Sequence, residues 1–209
     1  MSPALSTPPL PIAEPRAWDV GPIAPEPTTW SEEEYLAFDE NILVEFSHGL
    51  VEFLPMPTMS HQGSLKSLMR QLDSFADANR LGFVIQCPFK VYIAPGKYRE
   101  PDLVFMLREH ADRMSEQFWD GADLVMEIVS PDGRKRDLEV KRREYAQAGI
   151  SEYWIVDPQA SSITVLKLDN ANYVEHGVFG LGQTASSVLL AGFTSDVSAV
   201  FNAAKIASL

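Results

Sequence analysis

A mixed β-sheet flanked by α-helices, an α/β (α+β mixed) domain, is the architecture to expect of this chain. Apolar runs of strand length occupy residues 101–106 and 123–129, and helical periodicity holds over 61–79 and 138–148. Alternating runs that read as hairpins stand near both ends. Strands before and after helices, closed by hairpins, belong to this class. At 209 residues and 45% hydrophobic content the chain can bury one substantial core, so one domain is expected.

Residues 1–27 hold Pro8-Pro9, Pro11, Pro22, Pro25 and Pro27 with few core-forming positions. Such composition favours an extended, flexible N-terminal arm, and the folded domain is expected over 28–209. A short helix follows from Thr29 to Leu36, with Ser31 as N-cap and Glu32, Glu33 and Glu34 in its first turn. Leu43-Val44-Glu45-Phe46 and Leu50-Val51-Glu52-Phe53 alternate around Ser47-His48-Gly49 and predict a β-hairpin, ended by Pro55 and Pro57. From His61 to Asn79, Leu65, Leu68, Met69, Leu72, Phe75 and Ala76 form the apolar stripe of an amphipathic helix, with Gly82 just beyond its end.

Residues 83–93 read as one or two strands interrupted at Pro88, and 101–106 and 123–129 as further strands with a helical connector between them. A helix over 138–148 stops at Gly149. Residues 152–157 form a strand ended by Pro158, 162–168 and 173–179 an antiparallel pair, and 195–204 a closing helix.

Composition narrows the function. Cys87 is the single cysteine, so the chain has no internal disulfide and no thiolate-based zinc site. The N-terminus lacks a basic flank followed by an apolar run, and no apolar stretch approaches the roughly 20 residues that span a bilayer. The expectation is a soluble, cytoplasmic protein with no membrane partner. The net charge of −12 argues against a non-specific nucleic-acid binder. A local basic patch remains open: Arg134-Lys135-Arg136 and Lys141-Arg142-Arg143 are the densest basic clusters, though a solvated helix face explains them equally well.

Two acids stand out against apolar surroundings. Asp102 opens the run Leu103-Val104-Phe105-Met106, and Glu127 interrupts Leu124-Val125-Met126 and Ile128-Val129. Alternation puts Glu127 on a face with Val125 and Val129, and Leu124, Met126 and Ile128 on the other. Apolar residues on both faces mark a central strand, where a carboxylate needs a cation. Lys141 lies on the following helix, on a stripe with Leu138, Arg142 and Tyr145. Two carboxylates and a lysine suit a divalent metal and an activated water. Blander alternatives stand beside this reading: a buried ion pair for Glu127, a turn before a strand for Pro101-Asp102, and an exposed Asp137–Lys141 pair worth about 0.3–0.5 kcal/mol.

Pro101-Asp102, the stretch 123–131 ending Ser130-Pro131, then Arg136-Asp137-Leu138, Lys141, Tyr145, Ala148-Gly149 and the run from Glu152 to Pro158 resemble the Uma2 family. This is a mostly bacterial group assigned to the endonucleases of the PD-(D/E)XK restriction-endonuclease-like superfamily, and the similarity extends over about 30–201. The resemblance implies a nuclease core with a Mg²⁺ site, for which Mn²⁺ substitutes, and DNA as substrate. Asp102 and Glu127 match its metal-binding acids. The superfamily's usual lysine position, two residues after the second acid, holds Val129 here; Lys141 matches the helix-borne lysine of the Uma2 pattern. Glu45 matches an N-terminal acid that would complete the metal shell or hold Lys141 as part of the catalytic set, and His61 a frequent histidine, while Arg136 and Lys90 are the next cations in line. Analogy with nucleases that cut both strands of a duplex adds a homodimer. Two rival readings remain: an inactive or weakly active nuclease-fold module that binds nucleic acid or protein, and a hydrolase of a smaller substrate. If Lys141 is catalytic, Lys141→Met is expected to keep the fold and lose cleavage.

Overall fold

In the computed structural model, residues 29–38, 42–131 and 133–205 are described; the expected proline-rich arm, 1–27, lies outside them. Helix α1 (Glu32–Ala37) starts where its capping box dictates: Ser31 Oγ accepts from Glu34 N at 3.1 Å, and Ser31 N donates back to Glu34 Oε2 at 2.7 Å. Strands β1 (Val44–Ser47) and β2 (Leu50–Phe53) make the predicted hairpin. His48 and Gly49 both take positive φ, 49° and 86°, the backbone of a tight two-residue turn. The register sets Glu45 directly opposite Glu52.

Helix α2 (Met59–Asn79) begins two residues before the predicted start, because the Thr58 side chain caps it by accepting from His61 N. It ends at Arg80 in the left-handed conformation, while Gly82 opens β3 (Gly82–Gln86). The break expected near Pro88 separates two sheets: β3 joins one, and β4 (Lys90–Ala94) and β5 (Lys97–Arg99) the other. β6 (Leu103–Leu107) leads to a 3-10 helix over Arg108–Arg113, then β7 (Phe118–Asp120) and β8 (Leu124–Ile128). The predicted connector is thus helical in part. A π-helical segment, Arg136–Lys141, runs into α3 (Arg142–Gln147). Gly149, at φ 77°, turns the chain into β9 (Glu152–Asp157). β10 (Ser162–Asp169), β11 (Asn172–Gly180), β12 (Thr184–Ser186), β13 (Thr194–Asp196) and α4 (Val197–Ala204) complete the order.

Among the described residues, the larger sheet runs β11-β10-β9-β8-β6-β3 and the second β2-β1-β5-β4-β7. β8 pairs parallel with β9 and antiparallel with β6, so it is central. Its two faces divide as alternation requires. Leu124, Met126 and Ile128 pack with Leu65, Leu68 and Leu72 of α2 and with Val200 and Phe201 of α4. Val125 and Val129 pack with Tyr145 and Tyr153 under α3. A smaller separate cluster, Tyr35, Val44, Phe46 and Tyr98, holds α1 against the hairpin sheet. Among the described residues no helix is long and apolar enough to cross a membrane.

Candidate active site

Glu127 lies on the α3-facing side of β8 and is 4% exposed. Its Oε1 accepts from Lys141 Nζ at 2.8 Å and from the Tyr145 hydroxyl at 2.6 Å. Lys141, 2% exposed, also meets Glu45 Oε1 at 3.0 Å and Asp137 Oδ1 at 3.8 Å. The exposed Asp137–Lys141 pair is therefore corrected: both residues are buried. The π-helical winding lies just where these two side chains must point inward together, and such winding is frequent at functional sites. Arg142, predicted on the inward stripe, is exposed, whereas Leu138 and Tyr145 do face the core.

Glu45 reaches this cluster from the other sheet. Arg99 Nε stands 3.6 Å from Glu45 Oε2 and donates to Glu144 Oε2 at 2.9 Å, and Arg99 Nη2 donates to Glu144 Oε1 at 2.9 Å. This paired bond fastens the hairpin sheet to α3. Asp102 sits in the bend before β6. Its Oδ2 accepts from Ile128 N at 2.7 Å, which clamps it to β8 one residue after Glu127, and lies 3.1 Å from His61 Nε2. The N-cap of α2 therefore delivers His61 to Asp102. Arg136 Nη1 donates to Glu52 Oε1 at 2.6 Å. Lys90 is elsewhere: its ammonium caps α1, donating to the carbonyls of Tyr35 and Phe38 at 3.2 Å.

Asp102, Glu127, Lys141, His61 and Arg136 line one cavity of about 410 Å³, with Glu100 and Asp137 beside them. Glu45 stands behind Lys141. These acids outnumber Lys141, Arg99 and Arg136. Burial pushes Glu127 up to about 8, against the pull of Lys141 and with help from Asp102, Asp137 and Glu45. Burial likewise lifts Asp137 to about 6 and Glu100 to about 7. Burial alone would lower Lys141, but Glu127, Glu45 and Asp137 more than offset it and hold it protonated. His61 is also raised: burial, the largest influence, opposes its charge, but the bond to Asp102 and the charges of Asp102, Glu127 and Asp137 together outweigh it.

Among the described residues, no three His, Cys, Asp or Glu side chains converge closely enough to hold a metal ion unaided. Any ion bound here would need waters or substrate oxygens to complete its shell. The bonds above fall on Oε1 of Glu127 and Oδ2 of Asp102, leaving Oε2 of Glu127, and Oδ1 of Asp102 with only a 3.9 Å contact from Cys87 Sγ, as oxygen donors in a pocket with surplus negative charge.

Asp137, Glu100 and Tyr145 are members of this cluster that were not among the predicted site residues. Tyr145 was visible as an inward residue four positions after Lys141. Asp137, at the same spacing before it, looked like half of a surface pair. Glu100 carried no signal beyond its place before Pro101-Asp102.

A family model described as Uma2, "Putative restriction endonuclease", matches residues 32–198. Among solved structures, the chain is similar to a "putative nuclease belonging to DUF820" from Anabaena variabilis ATCC 29413. The two are 16% identical, the match covers 83% of this chain and 98% of that one, and the TM-score is 0.68. At this identity the likeness shows a shared fold. A search of curated proteins finds no match.

Proposed function

Because the chain belongs to the Uma2 family, we propose that it is a metal-dependent endonuclease hydrolysing DNA phosphodiester bonds. The observation that carries this reading is the fully buried Lys141, held by Glu127 and Glu45 at the back of a cavity that also presents Asp102. Asp102 and Glu127 would hold Mg²⁺, or Mn²⁺ in its place. When bound, the ion supplies Lewis acidity toward the phosphate and lowers the pKa of a coordinated water.

The chain's own groups supply the rest. Lys141 presents a fixed positive charge where negative charge develops on the phosphoryl oxygens, and its three carboxylate neighbours orient it before substrate arrives. Glu45 and Tyr145 position Lys141 and Glu127 and stay out of the reaction itself. His61 fixes Oδ2 of Asp102 at 3.1 Å, and Oδ1 takes only the long contact from Cys87 Sγ at 3.9 Å. Val129 is buried beside Glu127 and offers no charge, so the helix-borne lysine does what a lysine on the strand would do.

Plasmid cleavage in Mg²⁺ or Mn²⁺ tests the proposal. The wild type is expected to cut, and Glu127→Gln and Asp102→Asn to lose activity by about 10²–10³ or more. Equal cleavage by Glu127→Gln, or none by the wild type, overturns it. A second reading, a non-catalytic module that binds nucleic acid or protein, is favoured by the uncharged Val129 and the net charge of −12; binding without cleavage would select it. A duplex has two strands to cut, so the proposed working form is a cytoplasmic homodimer, and sedimentation at micromolar concentration is expected to show twice the chain mass.

A further inference from the structure

Glu45 and Glu52 face each other across the β1–β2 hairpin, so their side chains leave the same face. Like charges directly opposite destabilise a sheet unless each is compensated. Both are compensated from the π-helical segment: Glu45 by Lys141 at 3.0 Å, and Glu52 by Arg136 at 2.6 Å. The settings differ sharply. The first pair is nearly fully buried, with Lys141 at the cavity wall, whereas the Glu52 side chain is 61% exposed and that of Arg136 24%. An exposed pair of this kind holds weakly.

Arg136 is also underused. A guanidinium carries five N–H donors in a fork suited to phosphate. Its Nη1 goes to Glu52, and its Nε, though 3.9 Å from Asp137 Oδ1, is buried without a hydrogen-bond partner. It lines the cavity beside Asp102, Glu127 and Lys141. Glu52 is thus an anion held by the cavity's peripheral cation, on a strand at the outer edge of its sheet.

We propose that Arg136 is a phosphate-binding residue of this site, taking a non-bridging oxygen of the nucleic-acid backbone, and that Glu52 stands in for that phosphate until substrate displaces it. The inference rests on the nuclease reading and adds a specificity device to it. A neutral molecule entering the cavity must leave the Arg136–Glu52 pair intact or break it without compensation. A phosphodiester replaces one anion by another, with better geometry for the fork.

The test uses the full chain and a fluorescently labelled DNA duplex, with Glu52→Gln, Arg136→Gln, Arg136→Lys and the double Glu52→Gln/Arg136→Gln variant. In steady-state cleavage with Mn²⁺, Glu52→Gln is expected to lower KM about two- to five-fold, the range an exposed ion pair commands. Arg136→Gln is expected to raise KM about tenfold or more, with Arg136→Lys between it and the wild type. In the double variant the gain from Glu52→Gln should vanish, because its target is gone. A KM unchanged by Glu52→Gln, or a gain that survives in the double variant, overturns the proposal while leaving a dead Glu127→Gln and the nuclease reading in place. If nothing cleaves, the nuclease reading falls, and anisotropy of the same duplex still decides. Tighter binding by Glu52→Gln that disappears in the double variant sustains the phosphate role, and equal or absent binding ends it. Thermal melts of Glu52→Gln and Arg136→Lys check that the fold is intact.

Discussion

Lys141 is where burial changes an expectation drawn from sequence. As a lysine with a long apolar stem it was expected to tolerate Lys141→Met without loss of fold. With carboxylates of Glu127, Glu45 and Asp137 within 4.0 Å of its ammonium, the substitution leaves buried acids uncompensated. The expected outcome is a loss of about 3–5 kcal/mol in urea unfolding, alongside lost cleavage. Unchanged stability would mean that the acids simply take up protons. Their proton affinity sets the pH dependence. Glu100, Asp137 and Glu127 are raised to about 7, 6 and 8 by burial first, so between the ordinary carboxylate range and these values the folded state binds more protons than the unfolded one. Stability is therefore highest at the acid end of this window and falls as pH rises from about 4.5 toward 8. Lys141 stays charged throughout it. Urea titrations between pH 5 and 8 check the slope, and Glu100→Gln should flatten it below about pH 7. The acid at Glu127 was legible because it interrupts an apolar strand. Asp137 was not, because beside Arg136 at a helix start it has the pattern of a solvated surface.

At the scale of elements, periodicity served where an element is long or its surroundings are uniform. Central β8 split its faces as the alternation of Val125, Glu127 and Val129 against Leu124, Met126 and Ile128 required, and α2 buried Leu65, Leu68, Leu72 and Ala76 of its predicted stripe, with Met69 and Phe75 half-buried against the same core. The three-residue strands β5, β7, β12 and β13 went unread, because so short a strand is defined by its distant partner and not by its own pattern. The division of 83–93 between two sheets was unreadable for the same reason. One local signal did record a tertiary contact. Gly63 lies inside α2, where glycine is unfavourable, and a Cβ there would stand 2.2 Å from the Ala203 carbonyl oxygen of α4. Gly63→Ala must push α4 off the core holding Val200 and Phe201. A cost of about 1–3 kcal/mol is expected, a Tm drop of several degrees by calorimetry. At Gly149 the added Cβ meets nothing within 4 Å, so only the left-handed backbone, at about 1–2 kcal/mol, is charged against Gly149→Ala.

For the whole molecule, composition gave a net charge of −12 but not its distribution, part of which is gathered inward around one lysine. The proline-rich 1–27 stretch remains an expectation: its deletion should leave Tm nearly unchanged. The division of the core has a consequence for how the protein comes apart. Tyr35, Val44, Phe46 and Tyr98 form a small cluster of their own, and Glu45 stands in the strand between Val44 and Phe46. Small clusters open at lower free energy than the main core. The amides of β1 should therefore exchange with deuterium well before those of β8 and β9. Each such opening withdraws Glu45 from Lys141 while the larger sheet is still folded. The proposed cleavage should then fade in rising urea while the circular dichroism of the central sheet is still native.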